Sequence, residues 1–197
     1  MQHLSSKLFV ALVAITSFSF TIGCDKAAPP AANTTSQTAQ PVATSAALPA
    51  NLIVAEQPAG AVGVIEARKS AKVGNHVAII GRIGGTRSPF VSNRAIFTIV
   101  DQTMKSCIEM DDDEHCPRPW DYCCEDKSVL AKSMASIEIN DENGKPLALA
   151  LESEGTFKPL MLIAVDGTLQ STEGGSFVVR ADHVYKVPND PLASKIK

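Results

Sequence analysis

"PLMLIAVDGTLQSTEGGSFVVRADHVYKV", residues 159 to 187, decides how the folded part of this chain is read. Two runs rich in β-branched and apolar residues, 159–170 and 176–187, flank Glu173-Gly174-Gly175. That pattern predicts two strands around a tight turn. Working outward, "HVAIIGRIGG" (76–85) starts as an apolar run and ends in glycines, and "AIFTIVD" (95–101) is β-branched and aromatic. "MASIEIND" (134–141) alternates, with Ala135, Ile137 and Ile139 on one face, and runs through Asp141-Glu142-Asn143-Gly144-Lys145-Pro146 into a second apolar piece, "LALAL" (147–151). Residues 61–72 suit a short lead-in helix, with Pro58 near its start and Gly74 beyond its end. Strands with glycines inside them suit a small, sharply curved barrel, because glycine permits the bends and close approaches that closure requires.

The segments "VAIIGRI", "FTIVD" and "LIAVDGTLQ…GGSFVVRADHVY" resemble the first, second and last two strands of an OB-fold, a five-stranded Greek-key barrel. The pattern spans roughly residues 60–188. The expected fold class is therefore all-β: a five-stranded OB-fold-like barrel with a lead-in helix and a cysteine-rich insertion, residues 102–133, between its second and third strands. A β-sandwich is the architectural alternative. More narrowly, "GRIGG", "FTIVD", "PWDYCC" and "DENGKPL" together resemble a family of bacterial envelope lipoproteins of uncharacterised activity. That resemblance implies a fold and a location, and no chemistry.

The N-terminal segment agrees with that location. Residues 1–7 form a short polar head carrying Lys7, and 8–22 are largely apolar, short of the roughly 20 residues that span a bilayer but suited to a secretory signal. "TIGC" (21–24) resembles the lipoprotein processing box, in which Cys24 would be lipidated, although Thr21 stands where the family usually has leucine. Residues 24–57 are dominated by Ala, Pro, Thr and Ser and read as a flexible tether. The expected organisation is a signal peptide (1–23), a lipid-anchored tether (24–57), a folded domain (58–188) and a short tail (189–197). Asp25 resembles an inner-membrane retention signal of some bacteria, which leaves inner against outer membrane open. The expected location is the bacterial envelope, with the domain facing the periplasm.

Charge narrows the partners. With 18 basic and 21 acidic residues and a net charge of −3, the chain lacks the basic face that nucleic-acid binding needs. The expected partners are the membrane, through the lipid, and a small molecule, glycan or protein.

Beyond Cys24 there are four cysteines, Cys107, Cys116, Cys123 and Cys124, in the pattern C-x8-C-x6-C-C, all inside the insertion. An even number in an exported domain predicts two disulfides. Adjacent cysteines close a strained ring, so Cys123 and Cys124 are expected to bond separately to Cys107 and Cys116. The competing reading is a soft-metal site for zinc or cuprous copper made by the same four cysteines with His115. The spacing lacks C-x2-C knuckles, and adjacent cysteines point apart in an extended chain. Residues 111–114, all acidic, read as a solvated loop.

No C-x-x-C, G-x-S-x-G, H-E-x-x-H or phosphate-cradling loop occurs, so the expectation is a non-enzymatic protein without a cofactor. Arg82, Arg87, Trp120 and Tyr122 make up the candidate ligand surface. His76 and His183 read as ordinary strand residues.

Overall fold

A computed structural model of the chain describes residues 47–110, 116–192 and 195. Period-two alternation does most of the folding: in β5 (Met134–Glu138) Ala135 and Ile137 point inward and are buried, while their neighbours are half-exposed. Around it lie β3 (His76–Ile83), β4 (Ile96–Asp101), β6 (Leu162–Ser171) and β7 (Val178–Lys186). β3 pairs antiparallel with β4 and with β6, β4 antiparallel with β5, β5 parallel with β7, and β7 antiparallel with β6. The circuit β3–β4–β5–β7–β6–β3 closes on itself, as the OB-fold-like barrel expected from the sequence requires.

Closure demands one tight approach at Gly167, where a Cβ would stand 2.0 Å from the Arg180 carbonyl oxygen. The β6–β7 register shifts at this point, between Asp166 and Gly167. Isoleucine, valine and phenylalanine side chains from every wall fill the interior, Phe97 stacking on Phe157 with centroids 5.1 Å apart.

The lead-in helix is shorter than predicted: α1 spans Val64–Ser70, and the two residues before it form β2 (Val62–Gly63), paired parallel with β3. Gly63 offers no side chain to cap α1. Asp101, at the end of β4, does so from across the sheet, accepting the Ile65 N–H at 2.8 Å as well as the Thr103 N–H and hydroxyl. Arg68 on the same helix lies over the Phe177 ring and donates to the carbonyls of Met134, Gly175, Ser176 and Ala131, tying α1 to β5 and to the β6–β7 turn.

Three sequence boundaries need correction. The folded part begins before residue 58: Leu52 is buried, and β1 (Ile53–Val54) pairs parallel with β7. "LALAL" forms no regular strand. Only an isolated bridge, Asn140 to Pro146, spans the turn, and Leu149 and Leu151 plug the core on the way into a short helix (Leu151–Glu154). The expected free tail is partly built in, because Asp190 meets Arg82 Nη1 at 2.5 Å and accepts the Leu162 N–H. Among the described residues, no helix is long and apolar enough to cross a membrane.

The Arg82–Asp190 pair is nearly sealed, with side-chain exposures of 11% and 5%, and Arg82 also donates to the Leu160 carbonyl at 2.6 Å. Removing one partner of such a pair strands the other charge. Asp190→Ala should therefore lower unfolding free energy by about 3–5 kcal/mol, and the double variant Arg82→Leu/Asp190→Leu should recover most of that loss in denaturant titrations.

Candidate metal centre

The insertion between β4 and β5 folds onto the outside of the barrel. Val100, Tyr122 and Leu160 form a second, smaller core there, with Met104, Ile108, Trp120, Leu130 and Met134 packed against it. β3 is buried on both faces over most of its length. Gly84 and Gly85, which follow β3, make the contact possible. A Cβ on Gly84 would lie 2.6 Å from the Trp120 carbonyl oxygen, and the Gly85 N–H donates to that same oxygen at 2.8 Å. "GRIGG" and "PWDYCC" are therefore two halves of one contact.

Within the insertion the cysteines are positioned by three short turns. Cys107 opens a 3-10 turn (Cys107–Glu109) whose N-cap is Ser106; the Glu109 carboxylate accepts both the backbone N–H and the hydroxyl of Ser106. A second 3-10 turn (Pro119–Asp121) begins at proline and ends at Tyr122, which takes the left-handed conformation at φ 55°, ψ 32°. The third is a tight turn closed by the Glu125 N–H donating to the Tyr122 carbonyl at 3.0 Å, with Cys123 and Cys124 at its two central positions. Side chains at those positions need not point apart as they would along a strand. The objection that adjacent cysteines diverge fails here for that reason.

The sulfurs converge. Cys123 Sγ lies 3.5 Å from Cys107 Sγ and 3.5 Å from Cys116 Sγ. The Cys107, Cys123 and Cys124 sulfurs all lie within 4.8 Å of one another. Cys107 is buried, Cys116 half-buried, and Cys123 and Cys124 are exposed.

The two expected disulfides are not present: all four cysteines are free, and the 3.5 Å separations far exceed the bond length of about 2.05 Å. Cys123 stands equally close to two partners, and three of the four sulfurs, those of Cys107, Cys123 and Cys124, form one mutually close group. A tetrahedral centre with metal–sulfur distances of about 2.3 Å holds its sulfurs about 3.8 Å apart, close to the two separations of 3.5 Å.

Proton affinities within the cluster follow from its hydrogen bonds. Burial opposes ionisation of Cys107, but bonds from the Cys116 and Cys123 thiols and the backbone N–H groups of Cys124 and Cys123 outweigh it and lower its pKa. Cys123 is raised, first because its thiol is hydrogen-bonded to Cys107 and then to Cys116. Cys124 is raised chiefly by its bond to Cys107. The neighbouring donors thus favour the ionised form of Cys107, which is the outer-shell arrangement that steadies a metal-bound sulfur.

The remaining candidate residues do not form one surface. Arg82 and Tyr122 are buried, and so cannot present a ligand face as expected. Arg87 is exposed, and its carbonyl receives the half-buried Trp120 indole N–H at 3.3 Å. His76 and His183 share the Asp166 carboxylate on the barrel wall, away from the cysteines in sequence and in strand. Cys24 and His115, and the acidic run 111–114, lie outside the described residues. Sequence reasoning missed Ser106, Glu109 and Asp190. The S-x-x-E capping-box pattern at 106–109 could have revealed the first two; a single aspartate in a polar tail carries no comparable signal.

Comparison with known proteins finds no protein family whose pattern matches the chain, and no curated protein with significant similarity to it.

Gly84→Ala tests the contact on which the site rests. Its new methyl meets a backbone carbonyl that cannot rotate away, so the variant should lose about 1–3 kcal/mol in denaturant unfolding. The buried Cys107 thiol should at the same time become reactive towards a chromogenic disulfide reagent.

Proposed function

We propose that this protein is a non-enzymatic, envelope-tethered binding module whose cysteine insertion takes a soft metal ion, zinc or cuprous copper, through Cys107, Cys116, Cys123 and Cys124. The observation that carries the reading is the convergence of the sulfurs: two separations of 3.5 Å share Cys123, and three sulfurs lie mutually within 4.8 Å. Thiolates select such cations over hard ones, and a centre of this kind cross-links the insertion without any disulfide. Other features narrow the partner. The chain's acidic balance disfavours nucleic acid. The polar tether and the "TIGC" box support anchoring at Cys24 in the bacterial envelope, with the domain held in the periplasm.

Titration of the reduced, full-length protein with zinc and, anaerobically, with cuprous ion tests the metal. One ion per chain, with protection of the thiols from alkylation, is the expected result; four thiols equally reactive with and without metal would sink the reading. Because loading displaces protons held on Cys123 and Cys124, whose pKa values are raised, binding should release protons and apparent affinity should fall as pH is lowered. The sign follows from competition: protons win the sulfurs at low pH.

The anchor is tested separately. Cys24→Ser should abolish incorporation of labelled fatty acid and move the protein from the membrane to the soluble fraction in a bacterial host.

A further inference from the structure

The four sulfurs are not equivalent. Cys107, Cys123 and Cys124 form the mutually close set, whereas Cys116, although 3.5 Å from Cys123, falls outside it. The Cys107 side chain is buried and opens a 3-10 turn braced by Ser106 and Glu109, which fixes its sulfur in place. Cys116 is held differently: its thiol donates to the Arg118 carbonyl at 3.3 Å, two residues along its own chain. It is half-buried, on a segment stiffened by Pro117 and Pro119 but not packed into the second core.

Resting on the metal-binding reading, we infer that Cys107, Cys123 and Cys124 are the retained ligands and that Cys116 is the exchangeable one, displaced by an incoming thiol when the ion is passed on. A three-sulfur set suits cuprous copper, which accepts three-coordination, better than zinc, which takes four ligands. The exchange balances without any oxidant. The acceptor sulfur bonds to the ion as the ion–Cys116 bond breaks, and the proton given up by the acceptor thiol ends on Cys116 by way of solvent. Copper stays cuprous throughout. The acceptor class is a thiol, on a second protein or on a small molecule, and the exposed faces of Cys123 and Cys124 leave room for its approach.

The test uses full-length protein loaded anaerobically with one cuprous ion per chain and a chromogenic cuprous chelator as competitor. Cys116→Ser should keep one ion per chain with affinity within about tenfold of wild type, while Cys107→Ser, Cys123→Ser and Cys124→Ser should each lose at least about a hundredfold. In loaded wild-type protein, brief alkylation followed by mass spectrometry should find Cys116 modified first with the ion retained, a readout that needs no variant to fold. Added glutathione should yield a protein–copper–glutathione adduct, and Cys116→Ser should form it more readily. Cys116→Ser losing copper as severely as the other three, or uniform protection of all four thiols in the loaded wild type, would overturn the hierarchy. Failure of wild-type protein to bind cuprous ion at all would instead remove the metal reading on which the hierarchy rests.

Discussion

The contact between the Trp120 carbonyl and the Gly84–Gly85 backbone governs everything outside the barrel. Five strands close a core without help from the insertion, but nothing in that core says where thirty further residues should lie. Two adjacent glycines at the end of β3 remove the side chains that would keep a second chain away, and one carbonyl oxygen then accepts the Gly85 N–H at 2.8 Å. Tyr122 follows directly into the space above Val100 and Leu160. Once it is buried, the left-handed turn it begins can present Cys123 and Cys124 only on the side where Cys107 waits. The site is therefore a consequence of packing between the barrel and its insertion, and its precision depends on rigid backbone rather than on loop side chains.

A second constraint fixes the other end of the insertion's platform. Leu160 adopts φ 63° although it is not glycine, and its carbonyl is held by the Arg82 guanidinium, itself paired with Asp190. A β-strand arginine is thus turned into an internal bracket between β3, the approach to β6 and the chain after β7. An exposed arginine could have served a ligand; here Nη1 is directed at the fold, donating to the Leu160 carbonyl and the Asp190 carboxylate. The Tyr122 hydroxyl, sealed beside this bracket without a partner, marks the same preference for packing over solvation.

The barrel was legible because its signals are local. Alternation in Met134–Glu138 and the glycine turn at 173–175 each need only a few neighbouring residues to be read, and the closed circuit follows from them. Where the signal was not local, the reading failed. "LALAL" alternates like a strand, yet Leu149 and Leu151 face an interior already walled by five strands, so burial overrode propensity. Asp190 and Asp101 act 108 and 36 residues from the groups they bind, and no spacing rule reaches that far. The paired cysteines were misjudged for a related reason. Their divergence holds for extended chain, and whether residues 122–125 are extended or turned is decided by Tyr122, whose conformation reflects its burial against β3 and β4.

That last point also bears on the choice between covalent staples and the ion proposed above. Disulfides are pairwise: a sulfur that bonds one partner is withdrawn from the others. Cys123 has two equal partners at 3.5 Å and cannot bond both at once. The proposed cation would make no such choice, because it can satisfy several sulfurs at once at separations only slightly wider than the two of 3.5 Å. Thiolates tied to a soft ion are also poorer targets for oxidation than the same groups left bare. Sulfurs that share one neighbour at equal distances suit coordination better than pairing.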